Sequence, residues 1–243
     1  MLVSVIIPTW NRKEKLQRAV NSVLAQAGTP LEILVCDDGS TDGTPEMVRD
    51  WQNRDPRVRL IAKGRGGRPA IPRNNGIEAA AGEWLAFLDD DDMWVEGKLK
   101  KQLVLHKRYG ALAMCTNAFR VRADKHASPP FFTHMPLYLT HDDMVKENGV
   151  ICSSAMLHRS ILDKTGGFPE DSEIAYEDYA LWLRVTSLTP FYCQNELCVV
   201  YYDAPKSSYR GRAPGDSEQE RLQRVYLDWL RWVKNMRLHA RSA

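Results

Sequence analysis

The stretch Trp84-Leu85-Ala86-Phe87-Leu88-Asp89-Asp90-Asp91-Asp92-Met93-Trp94 carries the clearest structural signal in this chain of 243 residues. Its first half is a short apolar run, typical of a strand buried on both faces, and it ends in four consecutive carboxylates. Adjacent ionised carboxylates repel one another unless some of them face water or a cation draws them together. Mg²⁺ and Mn²⁺ take oxygen ligands and often use only one or two carboxylates. A solvated acidic turn is the alternative, and the neighbouring segments decide between the two.

Buried strands and helices alternate on the N-terminal side of this stretch. The predicted strands are 2–7, 31–36, 58–62 and 84–88; two helices follow Asn11 and Thr44, interpreted as N-caps, and a third covers 70–81. Strict alternation favours a doubly wound α/β fold with a mostly parallel sheet and helices on both faces. Ligands of such folds bind beyond the carboxyl ends of the strands. We therefore expect the polar clusters at 9–12, 37–38 and 89–92 to converge on one crevice.

The pattern is less regular on the C-terminal side. In chain order we predict a helix at 96–109, a strand at 111–116, a long loop at 123–136, a strand at 151–157, a helix from 176, a strand at 191–202 and a mobile loop at 204–215. A loop as long as the one at 123–136 is more often functional than idle in a compact domain.

Residues 216–241 have the spacing of a basic amphipathic helix. Its apolar residues are Leu222, Val225, Tyr226, Trp229, Trp232, Val233 and Met236, and its basic residues are Arg221, Arg224, Arg231, Lys234 and Arg241. Such a helix packs its apolar face on its own domain or on a second subunit, or it lies on an anionic membrane surface. The packed arrangement is the preferred interpretation.

The composition is that of an ordinary globular protein, with a formal net charge of +2. This charge gives no reason to expect nucleic acid as a partner. Five dispersed cysteines without a CxxC pair favour reduced core thiols in a cytosolic protein over disulfides or a zinc site. Residues 2–7 have the pattern of a strand, not of a signal peptide, and no apolar run approaches the ~20 residues that span a bilayer. We expect a cytoplasmic protein, soluble or peripheral at the inner face of the membrane.

Four motifs in this chain, taken in order, resemble those of the family 2 glycosyltransferases. They are Val5–Arg12, Val35–Asp42, Phe87–Asp92 and the pair Glu177-Asp178. The resemblance implies a GT-A fold and transfer, with inversion, of sugars from nucleotide-diphospho-sugars. It also implies a glycosyltransferase domain at 1–203, with a nucleotide-sugar-binding half at 1–115 and an acceptor-binding half at 116–203. The mobile loop and C-terminal helix of 204–243 follow this domain.

The resemblance implies that the first two motifs and the acidic run bind the nucleotide. An ionised carboxylate can accept the N3–H of uracil, and Asp38 is the choice for that contact, with Asp37 nearby. The other predicted nucleotide contacts are Pro8, Thr9, Asn11, Arg12, Arg68, Arg73, Asp89 and Asp90. For Asp37 and Asp38 the alternative is capping of a turn. For Arg68 and Arg73 the alternative is simple solvation. Thymine offers the same N3–H, so UDP is favoured but dTDP stays open.

The acidic run satisfies the family's DxD pattern twice, as Asp89-Asp90-Asp91 and as Asp90-Asp91-Asp92. The resemblance implies that Asp91 binds Mg²⁺ or Mn²⁺, which bridges both phosphates. Asp89 would then contact the ribose or a water of the metal. The family often has a small residue in place of Asp90, so the identity of the metal-binding acid stays open.

Inverting transfer requires one base that removes the proton of the acceptor hydroxyl. Asp178 matches the family's catalytic aspartate, and Glu177 is the second candidate. The alternative is that both are ordinary acids at a helix N-terminus. The six histidines show no metal-ligand spacing.

Taken together, these patterns predict a metal-dependent glycosyltransferase in bacterial-type polysaccharide or glycoconjugate synthesis. The acceptor hydroxyl would belong to a glycan, a lipid-linked molecule or another compound. A binding protein on the same fold without turnover is the alternative. A sugar-nucleotidyltransferase is less favoured because its glycine-rich phosphate loop is absent at Pro8–Asn11. A dehydrogenase is disfavoured because Pro69 stands where GxGxxG requires its third glycine.

Overall fold

A computed structural model of the chain describes residues 1–122, 129–203 and 217–242, which share one nine-stranded sheet. Its strands are β1 Val3–Thr9, β2 Leu31–Asp37, β3 Val58–Ala62, β4 Trp84–Phe87, β5 Met93–Trp94, β6 Ala113–Arg122, β7 Tyr138–Leu139, β8 Met156–His158 and β9 Phe191–Asp203. Its helices are α1 Lys13–Leu24, α2 Thr44–Arg54, α3 Ala70–Ala79, α4 Lys98–Tyr109, α5 His141–Lys146, α6 Arg159–Thr165, α7 Glu177–Thr186 and α8 Glu218–Ser242. The predicted loop at 204–215 and the first part of that at 123–136 lie outside the described residues.

The strands lie in the order β3-β2-β1-β4-β8-β6-β9-β5, and β7 also pairs with β9. The first four strands are mutually parallel, as the alternation of strands and helices predicted. β8 lies antiparallel between β4 and β6 and so joins the two parts of the sheet. β9 is parallel to β6 and pairs antiparallel with the short strands β5 and β7. The doubly wound α/β fold is therefore confirmed, with antiparallel strands added after β4.

Alternate residues of the central strands enter two hydrophobic cores, one on each face of the sheet. Ile6 of β1 packs in the core that contains Trp182 of α7, whereas Val5 and Ile7 pack in the core that contains residues of α1, α2 and α4. Every residue of β1 and β2 is buried. Burial on both faces explains why these strands are mostly apolar, and the polar pair within them, Ser4 and Glu32, is joined by a hydrogen bond of 2.6 Å. The five cysteines are buried free thiols, as predicted.

Two predicted helix caps are wrong. Asn11 does not cap α1; it has a φ of 52°, and its Oδ1 accepts a hydrogen bond from the Thr41 N–H at 2.7 Å. Thr44 is the first residue of α2, and the N-cap is Gly43 with a φ of 83°. The Asp42 carboxylate accepts hydrogen bonds from the N–H and the hydroxyl of Thr44 at 3.1 and 2.6 Å. The loop before α1 is thus held by the Asn11–Thr41 hydrogen bond, and the loop before α2 by the Asp42–Thr44 hydrogen bonds.

The predicted strand at 151–157 is shorter than expected. Residues Cys152–Ser154 form a 3-10 turn, and only Met156–His158 pair with the sheet as β8. The Ser153 hydroxyl donates to Asp92 and accepts from the Asp89 N–H at 3.0 Å. The turn therefore brings a side chain to the acidic run, a contact that a regular strand would not make.

The C-terminal helix α8 packs along α7, in agreement with the preferred interpretation of its sequence. Val225 is fully buried, Arg184 Nη2 lies 2.6 Å from Asp228 Oδ2, and Trp229 Nε1 donates to the Ser187 hydroxyl at 2.9 Å. Farther along α8, other apolar side chains remain open to solvent. Within the described ranges, no helix combines the length and the apolar character needed to cross a bilayer.

Candidate active site

A cavity of about 810 Å³ lies at the carboxyl ends of the parallel strands. The ends of β1, β2, β4 and β9 and the start of α7 all contribute to its wall. The predicted site residues that line it are Pro8, Thr9, Asn11, Arg12, Asp38, Arg68, Arg73, Asp89, Asp90, Asp91, Glu177 and Asp178. Of the predicted set, Asp37 alone does not line this cavity. The structure thus brings these side chains together as expected, and their individual roles stay predictions.

The loop after β1 fixes the acidic run. Thr9 Oγ1 donates to Asp90 Oδ2 at 2.8 Å, and Arg12 Nη1 donates to Asp90 Oδ1 at 2.8 Å and to Asp91 Oδ2 at 3.0 Å. Burial raises the pKa of Asp90 to about 6, although the Arg12 guanidinium acts in the opposite direction. Since both Asp90 oxygens already accept hydrogen bonds, this residue anchors the loop. A direct nucleotide contact by Asp90 stays a prediction.

The remaining acids of the run differ in their environments. Asp92 is buried, its Oδ1 accepts from the Tyr202 N–H at 3.0 Å, and its Oδ2 accepts from the Ser153 hydroxyl. Burial, with Asp89 and Asp91 nearby, raises the pKa of Asp92 well above its ordinary value. The side chains of Asp89 and Asp91 are 31% and 18% exposed, and both line the cavity. The geometry therefore favours Asp89-Asp90-Asp91 over Asp90-Asp91-Asp92 as the DxD motif.

Asp89 and Asp91 have a donor set that fits a hard divalent cation. Asp89 Oδ1 accepts from Arg73 at 2.6 Å, and Asp91 Oδ2 lies 3.0 and 3.6 Å from the Arg12 and Lys15 nitrogens. The second oxygen of each carboxylate has no hydrogen-bond partner in the part of the chain that the structure describes. No group of three or more His, Cys, Asp or Glu residues that could hold a metal occurs among the described residues. A cation here would thus depend on oxygens of a bound diphosphate.

The two acids at the end of β2, Asp37 and Asp38, hold different loops. Asp37 Oδ2 accepts from the N–H groups of Gly39-Ser40 at 3.1 and 3.0 Å, which is the turn capping considered above. Asp38 accepts from both N–H groups of Gly66-Gly67, the second at 2.9 Å. Each Asp38 oxygen therefore uses one lone pair in this contact and retains another. Asp38 lines the cavity, so it can both hold the glycine loop and accept a donor from a ligand.

The two predicted arginines are buried, which excludes simple solvation. Arg68 donates to backbone carbonyls of the 170–174 loop at 3.1 and 2.6 Å. Arg73 Nη1 donates to Glu177 Oε1 at 2.7 Å, and its Nη2 donates to Asp89 Oδ1 at 2.6 Å. Arg73 therefore connects the acidic run to the first turn of α7.

Glu177 and Asp178 both lie buried in the first turn of α7. Burial raises the pKa of Glu177, although the Arg73 guanidinium that holds its carboxylate acts in the opposite direction. Asp178 Oδ1 accepts from the Tyr179 N–H at 2.8 Å. Its Oδ2 has no hydrogen-bond partner among the described residues. Of the two candidate bases, Glu177 is held by the Arg73 side chain, whereas the Asp178 carboxylate accepts no hydrogen bond from the side chain of any described residue.

Six aromatic or charged side chains line the cavity without having been assigned from the sequence: Trp10, Arg65, Phe131, Tyr176, Tyr201 and Tyr202. The guanidinium carbon of Arg65 lies 3.9 Å from the centroid of a Trp10 ring. Trp10 lies inside the first motif, so its position in the sequence could have identified it as a residue of the site. The aromatics of the second half offer no such signal, because in sequence they look the same as core residues.

The sheet with an acidic cavity at its edge has the architecture of the GT-A glycosyltransferases. The chain is similar to S. aureus TarS 1-349 in complex with UDP-GlcNAc, with a TM-score of 0.75 and 21% identity, over 94% of this chain and 66% of that chain. It is also similar to the mannosyltransferase PcManGT from Pyrobaculum calidifontis in complex with GDP-Man and Mn²⁺, with a TM-score of 0.61 and 20% identity, over 99% of this chain and 75% of that chain. At these identities the likeness shows the fold.

The chain belongs to glycosyl transferase family 2. The model of that family matches residues 4–166. The chain is 31% identical, over 184 residues, to the Escherichia coli enzyme named UDP-Glc:alpha-D-GlcNAc-diphosphoundecaprenol beta-1,3-glucosyltransferase WfgD, a match that covers 76% of this chain and 69% of WfgD. The resemblance carried by the four motifs is confirmed as membership. The family match ends before α7, so Glu177 and Asp178 lie outside the residues it covers.

Proposed function

We propose that this protein transfers a sugar from a nucleotide-diphospho-sugar to an acceptor hydroxyl, with inversion at the anomeric carbon and with dependence on Mn²⁺ or Mg²⁺. The observation that carries the proposal is that Asp38, Asp91 and Asp178 line a single cavity. Residues 1–115 supply the donor contacts in this proposal, and residues 116–203, called the acceptor half below, supply the base and the acceptor site.

Asp38 is proposed to select a uracil base. The free lone pairs of its carboxylate can accept the N3–H, while the Gly66-Gly67 N–H groups hold the side chain in place. Pro8 and Asn11 line the same cavity and are proposed to contact the base and ribose. A UDP-sugar is the favoured donor for this reason. The known complex of TarS with UDP-GlcNAc supports the same class of donor.

Asp91, with Asp89 beside it, would hold the metal, which when bound neutralises charge on the departing diphosphate. Arg12 keeps Asp91 oriented, since its guanidinium contacts both Asp90 and Asp91. Arg73 keeps Asp89 oriented in the same way. These two arginines therefore act on the acids of the run, and Arg12 also adds positive charge near a bound diphosphate.

Asp178 is proposed as the general base. Its Oδ2 takes the proton of the acceptor hydroxyl as that oxygen forms a bond to the anomeric carbon. The bond between the anomeric carbon and the diphosphate oxygen breaks on the opposite face, and the nucleoside diphosphate leaves with the electron pair. Because attack and departure occur on opposite faces, the configuration is inverted and no covalent enzyme intermediate is needed.

The acceptor is proposed to be a glycan or a lipid-linked saccharide of bacterial polysaccharide or glycoconjugate synthesis. The name of WfgD, which specifies a diphosphoundecaprenol-linked acceptor, supports this class. Work on such an acceptor requires contact with the membrane surface. We propose that α8 provides a peripheral contact there, because three exposed cations, Arg231, Lys234 and Arg237, lie among its exposed apolar side chains.

The substitution Asp178→Asn tests the proposal. We expect it to keep UDP binding and to reduce sugar transfer by about a thousandfold, because the amide cannot accept the hydroxyl proton. UDP binding is measured by calorimetry in the presence of Mn²⁺, and transfer by release of UDP. Asp163→Asn, at an exposed position on α6, is the matched control. If Asp178→Asn transferred sugar at the wild-type rate, the role of Asp178 as the base would be refuted. If the wild-type protein bound UDP-sugars but showed no turnover, a binding protein would be favoured.

A further inference from the structure

The loop 166–176 connects α6 to α7 and ends directly before Glu177 and Asp178. It belongs to the acceptor half, and none of its residues lies in a helix or a strand. A loop without regular structure takes its position from contacts with the scaffold around it. These contacts therefore determine where the proposed base stands relative to the donor site.

Asn74 of α3 holds the first part of this loop. Its Nδ2 donates to the Phe168 carbonyl at 2.8 Å, and the Phe168 N–H donates to its Oδ1 at 2.9 Å. Gly167 approaches so closely that a Cβ there would clash with Asn74 Oδ1. The loop thus begins in fixed contact with α3, which belongs to the half that supplies the proposed donor contacts.

Arg68 holds the part of the loop that leads into α7. Its Nη1 donates to the Glu170 carbonyl at 3.1 Å, and its Nη2 donates to the Ile174 carbonyl at 2.6 Å. Ile174 stands three residues before Glu177 and is itself buried. Hydrogen bonds from a charged donor are stronger than those between neutral groups, and the burial of Arg68 protects them from competition with water.

The backbone before Arg68 is held from the other side by Asp38, the proposed uracil contact. The Asp38 carboxylate accepts hydrogen bonds from the N–H groups of Gly66 and Gly67. A Cβ on Gly66 would clash with the Ile71 side chain, and Gly67 has a φ of 76°, so both positions favour glycine. The Ile71 N–H donates to the Arg68 carbonyl at 3.3 Å, where α3 begins. Arg68 thus extends from a segment whose backbone is held at both ends.

The Arg68 side chain therefore joins the segment that Asp38 holds to the loop that ends at the base. We propose that Arg68 is a positioning residue for sugar transfer: it holds Asp178 at the correct distance from the donor without contacting the reacting atoms. This role differs from the nucleotide contact that the sequence predicts for Arg68. The inference rests on the proposed function, in which Asp178 is the base, and deepens it by naming a residue that places that base.

The substitution Arg68→Met tests this role, because methionine keeps part of the apolar stem and has no donor. We expect kcat to fall about ten- to a hundredfold, since a base displaced by roughly 1 Å costs that much, and the KM for the donor to stay within about twofold. Arg68→Lys, which retains a charged donor for one carbonyl, should recover part of the loss. The assay is release of UDP from UDP-glucose and UDP-GlcNAc with Mn²⁺ and with water as the acceptor, whose proton the same base removes. Calorimetry measures the affinity for UDP.

Arg159→Met is the matched control. Arg159 likewise donates to two backbone carbonyls, those of Ala80 and Gly82 at 2.6 and 3.0 Å, but it lies outside the cavity wall. Loss of such contacts should lower the Tm of both variants. Only Arg68→Met should lower kcat, which separates the placement of the base from general stability.

Amide hydrogen exchange gives a second measurement that needs no activity. In Arg68→Met the amides of residues 170–178 should exchange about tenfold faster than in the wild type, whereas those of β2 should not change, because the lost contacts hold only the loop. If Arg68→Met does not fold, Arg68→Lys takes its place in both measurements, with smaller effects in the same direction.

The possible results distinguish this inference from the proposed function. Wild-type kcat in Arg68→Met, an equal fall of kcat in Arg159→Met, or unchanged exchange in residues 170–178 would overturn the positioning role. A KM for the UDP-sugar raised about tenfold at unchanged kcat would indicate a nucleotide contact and would also overturn it. If the wild-type protein releases no UDP from either donor, the proposed function fails, and the role of Arg68 in transfer fails with it.

Discussion

Arg73 contacts both functional parts of the cavity with one guanidinium group. It donates to Asp89 in the acidic run and to Glu177 in the first turn of α7, at 2.6 and 2.7 Å. The group is buried, with its Cζ 5.2 Å from the Phe168 ring centroid. A buried charge that loses one partner is costly, so the two carboxylates and the guanidinium stabilise one another only as a set. Arg73 is therefore a direct side-chain link between the acidic run and the base motif.

The substitution Arg73→Lys should separate charge from geometry. Lysine keeps the positive charge but cannot donate to two carboxylates in the planar geometry of a guanidinium. We expect a transfer rate about ten- to a hundredfold lower, because a misplaced base or acidic loop costs that much, with little change in UDP binding. Steady-state kinetics and UDP calorimetry measure the two effects. A wild-type rate in a folded Arg73→Lys protein would show that the connection is dispensable.

Lys98 is a buried cation outside the cavity. Its Nζ donates to Gln102 Oε1 at 2.8 Å and lies 4.1 Å from a Trp94 ring centroid. Burial lowers the pKa of Lys98 from 10.5 to about 7. Between these two values the unfolded chain binds a proton that the folded chain does not bind. The contribution of Lys98 to the free energy of unfolding therefore rises with pH across this window and is constant outside it.

The substitution Lys98→Met should remove this pH dependence. In the wild type we expect Lys98 to add up to about 1.4 kcal/mol per pH unit to the free energy of unfolding above pH 7. Urea unfolding at pH 7, 8 and 9 measures the slope. Lys100→Met, at an exposed position two residues later, should keep the wild-type slope. Equal slopes in the wild type and Lys98→Met would mean that Lys98 titrates normally.

Helix α8 has two parts with different surroundings. Its N-terminal part is fixed to α7 through Val225, Asp228 and Trp229. In its later part, Leu230 and Leu238 are 52% and 53% exposed. Residues 230–238 contain three cations and no acid. This charge disfavours pairing with a second copy of the same segment and suits an anionic surface.

Replacing the three cations should weaken membrane binding. We expect the triple variant Arg231→Gln, Lys234→Gln, Arg237→Gln to bind vesicles that contain anionic lipid about a hundredfold more weakly, since each cation contributes roughly 1 kcal/mol there. Sedimentation with vesicles at low and high salt measures this. Lys107→Gln with Arg108→Gln, on the exposed end of α4, is the control pair. Equal binding of the wild type to neutral and anionic vesicles would rule out the contact.

The elements of the first half could be predicted well, because local patterns determine them. The four parallel strands are mostly apolar, and their order of alternation with helices leaves few topologies. The antiparallel insertion of β8 could not be predicted, because it depends on pairing with β4, some seventy residues earlier. The cap at Asn11 failed for the same reason, since its side chain pairs with Thr41.

In the candidate site, too, some features could be predicted from local sequence, and others depend on contacts between distant segments. Acids placed after buried strands could be expected to meet, since parallel strands end at one edge of the sheet. Which of four adjacent acids faces the cavity could not be predicted, because Ser153 and Tyr202 decide it by binding Asp92. The aromatic rings could not be assigned either, since only the tertiary packing of Phe131 and Tyr201 leaves them half-buried at the cavity.

For the whole molecule, the clearest prediction concerns thermal unfolding. We expect UDP with Mn²⁺ to stabilise the protein by about 2.7 kcal/mol at a concentration of 100 Kd, which corresponds to roughly 5–10 °C in Tm. UDP alone or Mn²⁺ alone should stabilise the protein less, because the carboxylates of Asp89 and Asp91 leave most coordination positions of the metal to phosphate oxygens. Differential scanning fluorimetry measures the shifts. Asp91→Asn should abolish the joint effect, and GDP in place of UDP should not reproduce it. A shift with UDP that is equal with and without metal would contradict metal dependence.

The bond from the Tyr202 N–H to Asp92 spans 110 residues of sequence. A ribosome therefore makes the acidic loop long before the strand that anchors it. Until β9 has emerged and taken its place between β6 and β5, Asp92 lacks its Tyr202 partner and β5 lacks the strand with which it pairs. A chain that ends before β9 accordingly lacks this contact at the proposed diphosphate site. The proposed donor site therefore reaches its final form only after residues 191–203 have been synthesised.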